Sequence, residues 1–211
     1  ADIVRLIGGG LVRSVRAYTG VWDASRQMEG AYLAYVEFED GAAASMVFSG
    51  YDHFDSDEFH FWIGEGGAPK TRGTHGETRR ALDAIGSSTT ESARRDAVSF
   101  KAFLYQDRSS LHMPHHGVVV ASCEKGDIRC GQDGLIVYDQ QGVRQIEVIP
   151  SSAYPGRTET LDELLHAVVD DIAPLHGVAW SKATLELLLA IRKSSLERRE
   201  IYLSNQISVS G

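Results

Sequence analysis

Between Gly30 and Asp57 the chain reads GAYLAYVEFEDGAAASMVFSGYDHFDSD, and the Asp40-Gly41 step within it dictates a hairpin. Asp-Gly between two apolar runs favours a tight turn because such turns need positive φ, which glycine adopts at no steric cost. A two-residue turn there sets the register. Phe38 falls opposite Ala43, Val36 opposite Ser45, Ala34 opposite Val47 and Tyr32 opposite Ser49. The other face then carries Leu33, Tyr35 and Glu37 with Ala44, Met46 and Phe48. Both faces are largely apolar, whereas a sheet with one wet face alternates cleanly. The expectation is therefore helices over one face and a second subunit over the other. The second strand runs into Tyr51-Asp52-His53-Phe54-Asp55, a titratable cluster at a strand end, suited to presenting side chains to a ligand.

The remaining elements follow from periodicity and punctuation. ADIVRLIGGG reads as the last two turns of a helix stopped at Gly8, which places the start of that helix before Ala1. Leu11 to Tyr18 alternates as a strand, Gly20 to Glu29 connects, and Glu58 to Gly64 alternates again; 66–76 is a Gly-rich loop. A helical insertion spans about 77–106, its second helix opened by a capping box at Ser88. From Gly117 a meander resumes, with turns at Gly126-Asp127 and Gln141-Gly142, and 151–156 is a linker. A second capping box at Thr160 starts a helix that ends before Pro174. Ser181 to Leu196 forms a helix, broad and apolar through Leu185, Leu188, Leu189 and Ile191, a breadth that predicts burial against the sheet. Ile201 to Leu203 closes as an edge strand. With 43% apolar and 24% charged residues, the 211-residue chain reads as one soluble α+β domain.

Composition narrows the function classes. A net charge of −8 argues against a nucleic-acid binder, and no apolar run is long enough for a membrane span. Two cysteines and no visible leader point to the reducing cytoplasm. Gly8-Gly9-Gly10 follows a helix and precedes a strand, the reverse of a phosphate-binding loop. A turn at Gly126-Asp127 pairs Cys123 with Cys130 near His115, but the spacing does not match structural zinc, and two buried reduced thiols are the better reading. There is no Gly-x-Ser-x-Gly elbow. His53, between Asp52 and Asp55, is the best acid–base candidate, because carboxylates orient an imidazole and favour its cation. His166 and His176 read as surface or packing residues, and the arginines at 79, 80, 94 and 95 as a solvated face.

Three segments, DIVRLIGGGLVRSVRA at 2–17, SGYDHFDSDE at 49–58 and WSKATLE at 180–186, together resemble the C-terminal domain of the glucose–fructose oxidoreductase/inositol dehydrogenase (Gfo/Idh/MocA) family. Within it, the likeness is to the phthalate 4,5-cis-dihydrodiol dehydrogenase branch. The resemblance implies a mostly antiparallel open β-sheet with helices on one face and an oligomer contact on the other. It implies NAD or NADP held by an N-terminal Rossmann domain absent from this chain. The family's Glu-Lys-Pro lysine motif is also absent, since Glu124-Lys125 is followed by Gly126. The family's catalytic histidine would fall just upstream of Ala1. Asp2, one helical turn on, is then the catalytic residue of this chain, orienting that histidine or a substrate hydroxyl. Tyr51 and His53, and more weakly His115, are implied on the substrate side. The implied chemistry is hydride transfer from a ring carbinol carbon to nicotinamide. A sugar or inositol substrate, or a non-catalytic module that dimerises through its sheet, are the alternatives. The expected partners are a small-molecule substrate and further copies of the chain, with neither nucleic acid nor membrane.

Overall fold

The computed structural model describes residues 1–24, 29–51, 53–84, 93, 111–149 and 157–209. They form two compact units, Ala1–Tyr51 with Glu163–Gly211, and Asp52–Asp162.

In the first unit, α1 (Asp2–Ile7) leads through Gly8-Gly9-Gly10 into β1 (Val12–Gly20), followed by β2 (Ala31–Phe38) and β3 (Ala43–Ser49). The antiparallel sheet has the order β3-β2-β1-β8, with β8 (Ile201–Tyr202) beside Ser14 and Val15 of β1. The hairpin expected at Asp40-Gly41 is present, one residue out of the register set by a two-residue turn. Its loop is Glu39-Asp40-Gly41: the Phe38 amide donates to Ala42 O at 2.9 Å and the Gly41 amide to Phe38 O at 3.1 Å. Gly41 alone takes positive φ, 88°, so the Asp-Gly pair supplies one left-handed residue at the end of a three-residue loop. Val36 therefore faces Ala44, Ala34 faces Met46 and Tyr32 faces Phe48. Because side chains alternate along a strand, this single-residue slip moves all of β3 to the opposite face.

The corrected register separates a core face from an outer face. Val12, Val15, Ala17, Ala34, Val36 and Met46 are buried beneath the helix Val178–Glu197, which contributes Leu187, Ala190 and Ile191. That helix buries Ala183, Leu187, Ala190, Ile191 and Ser194, the three-to-four spacing of one helical stripe. Its C-terminal turn also seals the free edge of β1. Ser194 Oγ accepts the Ala17 amide at 2.9 Å and donates to Arg199 O, while Ser195 Oγ accepts the Thr19 amide at 2.8 Å. The outer face carries Tyr18, Leu33, Tyr35, Val47 and Tyr202, all at least 47% exposed. The C-terminal tail is pinned by Glu186, which accepts from Ser204, Asn205 and Gln206. Burial opposes ionisation of Glu186, but those hydrogen bonds outweigh it and hold its carboxyl at about 2.

The second unit holds α2 (Glu77–Ala84) and an antiparallel meander, β4 (Val120–Cys123), β5 (Gly126–Cys130), β6 (Gly134–Asp139) and β7 (Gly142–Glu147). Its first turn is Glu124-Lys125, with Cys123 opposite Gly126 and Cys130 opposite Leu135. The cysteines are thus not cross-strand partners. Both are free, and Cys123 is exposed where burial was expected. The strand expected over 58–64 is instead a 3₁₀ turn, Ser56–His60. Asp55 caps it by accepting the Asp57 amide at 3.1 Å, a local hydrogen bond that overrides the alternation of Phe59 and Phe61. Phe61 and Trp62 follow with φ of 59° and 60°, a conformation aromatic residues rarely adopt. Of the helix expected from Ser88, only Ala93 lies within the described residues, and it is helical; the linker 151–156 lies outside them. The later helices are α3 (Arg157–Val169) and α4 (Val178–Glu197).

Candidate functional site

The strongest constellation in the first unit is built on α1. Arg5 is wholly buried although it is the most basic side-chain type, so its charge must be answered by hydrogen bonds. Its Nε donates to Gln206 Oε1 at 3.0 Å, and its Nη1 to Trp180 O at 3.1 Å and Thr184 Oγ1 at 2.7 Å. The guanidinium plane lies 3.9 Å from the centroid of the Trp180 ring. Burial lowers the Arg5 pKa, and the Asp2 and Glu186 carboxylates oppose that shift. The guanidinium thus ties α1, α4 and the C-terminal tail together.

One turn earlier, Asp2 Oδ1 accepts from Trp180 Nε1 at 2.7 Å and Thr184 Oγ1 at 2.6 Å. Its second oxygen, Oδ2, faces His176 Nε2 at 3.7 Å. The other ring nitrogen of His176 binds Glu163 Oε2 at 2.7 Å, and Glu163 Oε1 accepts the His176 amide at 2.8 Å. These two hydrogen bonds from His176, backbone first, hold the Glu163 carboxyl below the ordinary carboxylate range. The result is a fixed carboxylate with one engaged and one outward oxygen, next to an oriented imidazole. Such an arrangement can accept a hydrogen bond from a hydroxyl and hold or release a proton.

Tyr51 stands at the other end of β1. It is buried, its hydroxyl accepts the Trp22 amide at 2.6 Å and donates to Gly20 O at 3.2 Å. Asp2 and Tyr51 therefore do not share a site within this unit. In the second unit His53 is exposed, whereas His115 is 4% exposed and its nitrogens are occupied. Nδ1 of His115 accepts the Gly117 amide at 3.0 Å, so Nε2 carries the proton and donates to Ile63 O at 2.7 Å. His176, read from the sequence as surface or packing, is half-exposed, and its pairing with Glu163 has no sign in the sequence. Glu163 lies thirteen positions earlier, and no local motif links the two.

Beside His115 lies His60, 2% exposed, with ring centroids 3.8 Å apart and with Nε2 buried and without a partner among the described residues. Burial lowers the His60 pKa; His115 and Arg129 lower it further, and Asp57 opposes them. Asp57 is itself shared, binding Lys70 at 2.9 Å and lying 3.6 Å from His115. A histidine whose folded-state pKa is depressed contributes stability above its unfolded value, about 6.5, and loses it as pH falls. The urea midpoint of the chain is expected to fall as pH is lowered from 7 to 5, with a slope to which His60 contributes. His60→Phe is expected to flatten that slope, and an unchanged slope would reject the assignment.

Among the described residues no group of histidine, cysteine and carboxylate side chains could hold a metal. Nor does the glycine triplet fit the phosphates of a nicotinamide dinucleotide. It leaves a helix and enters a strand, and the space beside Gly10 is filled by the backbone of Ile207 to Val209. No helix among the described residues is long and apolar enough to cross a membrane.

This α+β architecture is similar to part of several solved dehydrogenases and oxidoreductases. The particular relatives agree. Over 194 residues the chain is 34% identical to the 1-carboxy-3-chloro-3,4-dihydroxycyclohexa-1,5-diene dehydrogenase of Comamonas testosteroni, covering 90% of this chain and 48% of that protein. A crystal structure from Bordetella bronchiseptica RB50 assigned as a dehydrogenase is 38% identical, with a TM-score of 0.78 over 92% of this chain and 50% of that one. An oxidoreductase of Agrobacterium radiobacter, solved with NAD+, L-tartaric acid and magnesium, shares the fold at 14% identity and a TM-score of 0.57, covering 95% and 46%. No family model matches the chain. The chain spans about half the length of the relatives it matches.

Proposed function

We propose that this chain is the substrate-binding and assembly part of an NAD(P)-dependent dehydrogenase acting on a carboxylated cis-dihydrodiol, that of phthalate first. The observation that carries the proposal is the likeness to a carboxylated cyclohexadiene-diol dehydrogenase across nine-tenths of the chain. Asp2 supports it: Trp180 and Thr184 hold one oxygen and leave the other outward, as a residue that orients a substrate hydroxyl requires. On this reading NAD or NADP is bound outside the described residues, and no step through the cofactor is assigned to this chain. Its contribution is to place a ring hydroxyl and to exclude water.

Specificity for a carboxylated ring is tested by comparing kcat/KM of the intact gene product on phthalate cis-4,5-dihydrodiol, on the same diol lacking carboxylates, and on inositols. A loss of at least about 100-fold on removing the carboxylates is expected, since a polar site left unpaired discriminates strongly. Equal or better turnover of inositols would reject the proposal.

The sheet supports the assembly role. Tyr35 and Val47, 52% and 74% exposed, sit among apolar neighbours on the outer face, where an unpartnered patch marks an interaction surface. A second copy of the chain is the proposed occupant. Tyr35→Asp is expected to shift sedimentation to the monomer. Phe48 stacks on Tyr32 on the core side, 5.7 Å between centroids, so Phe48→Asp tests folding instead. An oligomer unchanged by Tyr35→Asp would reject the contact.

A further inference from the structure

We propose that Glu163, His176 and Asp2 form a proton relay, in which His176 is a positioning residue that sets the charge of Asp2. This rests on the reading of Asp2 as part of a dehydrogenase site. Glu163 grips His176 at two points, amide and Nδ1, at 2.8 and 2.7 Å. A carboxylate can only accept there, so Nδ1 carries a proton and the basic lone pair is left on Nε2. That nitrogen points at Asp2 Oδ2, the oxygen that Trp180 and Thr184 leave untouched. The 3.7 Å gap exceeds a hydrogen bond and is closed by a small rotation of the half-exposed ring or by one bridging water. A carboxylate holding an imidazole in one tautomer, with the opposite nitrogen free, is the arrangement of an oriented base.

The surroundings give the proton an exit. Glu163 also lines a cleft of about 270 Å³ with His166, Pro174 and Leu175, open to solvent. A proton reaching Asp2 Oδ2 moves to His176 Nε2, which makes the imidazolium; Nε2 then releases it to water, and both carboxylates end as they began. The charged groups facing this chain of atoms are Glu163 from α3, and Asp2 with Arg5 from α1. From α4 come Trp180 and Thr184, neither charged. His166, in the same cleft, is paired with Asp170 at 2.7 Å.

The test has two arms. In the first, ring ¹⁵N shifts of His176 are measured in the chain itself. They are expected to show a protonated Nδ1 and a basic Nε2, and Glu163→Gln is expected to mix the tautomers. A wild-type ring protonated at Nε2 alone would overturn the relay. In the second, the intact gene product carries His176→Gln. Its kcat is expected to fall about 10- to 100-fold with KM unchanged, and added imidazole to restore a measurable part of it. An unchanged kcat, or a loss that imidazole does not relieve, overturns the proposal. Should the wild-type gene product reduce no nicotinamide, the dehydrogenase reading fails on its own, and the tautomer measurement still decides whether Glu163 orients His176.

Discussion

Arg5→Met is expected to lower the stability of the chain by on the order of 3–5 kcal/mol, a loss of about 10–15 °C in thermal midpoint. The side chain is fully buried, and methionine replaces its stem while removing every donor. Gln206 Oε1 and Thr184 Oγ1 each lose their charged partner, and the carbonyls of Gly10 and Ile207 lose a donor. Leaving buried acceptors unmade costs about 1–3 kcal/mol apiece, more than the original bonds contributed net. The stacking on Trp180 goes as well, a further ~1 kcal/mol. Arg5→Lys is expected to recover little of this, because an ammonium cannot span acceptors on α4 and the C-terminal tail at once. Differential scanning calorimetry measures both variants. A midpoint within about 2 °C of wild type would show that the network is not what holds α1 in place.

The second large effect concerns Asp2 and separates structure from chemistry. Asp2→Asn keeps an oxygen to accept from Trp180 and Thr184, whose bonds at 2.7 and 2.6 Å both go to Oδ1. Its stability is expected to stay within about 1 kcal/mol of wild type. Turnover of the intact gene product is expected to fall by ~10²- to 10⁴-fold, the range for removing a group that handles a proton. Asp2→Ala instead strands the indole N–H of Trp180 and is expected to lose about 1–3 kcal/mol in addition. Steady-state kinetics beside thermal melts distinguish the two. Asp2→Asn with wild-type kcat would confine Asp2 to a structural role.

The sequence carried the first unit well because its signals are local and periodic. Asp40-Gly41 announced the hairpin, and α4 was legible as the helix that covers the sheet. Its face was not: Leu185, Leu188 and Leu189, which marked its apolar breadth in the sequence, lie exposed, and Leu187 and Ala190 join Ile191 against the sheet instead. The register failed by one residue because an Asp-Gly pair fits both a two-residue turn and the last two places of a three-residue loop. Only the Phe38 to Ala42 hydrogen bond distinguishes them. The segment 56–62 failed for another reason: alternating aromatics imitate a strand, while the Asp55 cap that overrides them is a single residue. At the candidate site, Asp2 was legible through family resemblance, and its partners Trp180 and Thr184 lay within a segment that carried that resemblance. Arg5 read as an ordinary helix residue, although its burial is total. The pairing of His176 with Glu163 and Asp2 depends on tertiary placement of three helices and a loop, which no spacing within the sequence encodes.

The central claim is that this chain works as half of a dehydrogenase of cis-dihydrodiols. The most direct measurement uses phthalate cis-4,5-dihydrodiol deuterated at its carbinol carbons, incubated with the intact gene product and NAD+ or NADP+. The reduced nicotinamide is predicted to carry one deuteron by mass spectrometry, with dihydroxyphthalate formed in equal amount. Unlabelled or absent reduced nicotinamide, with the diol recovered intact, would contradict the account.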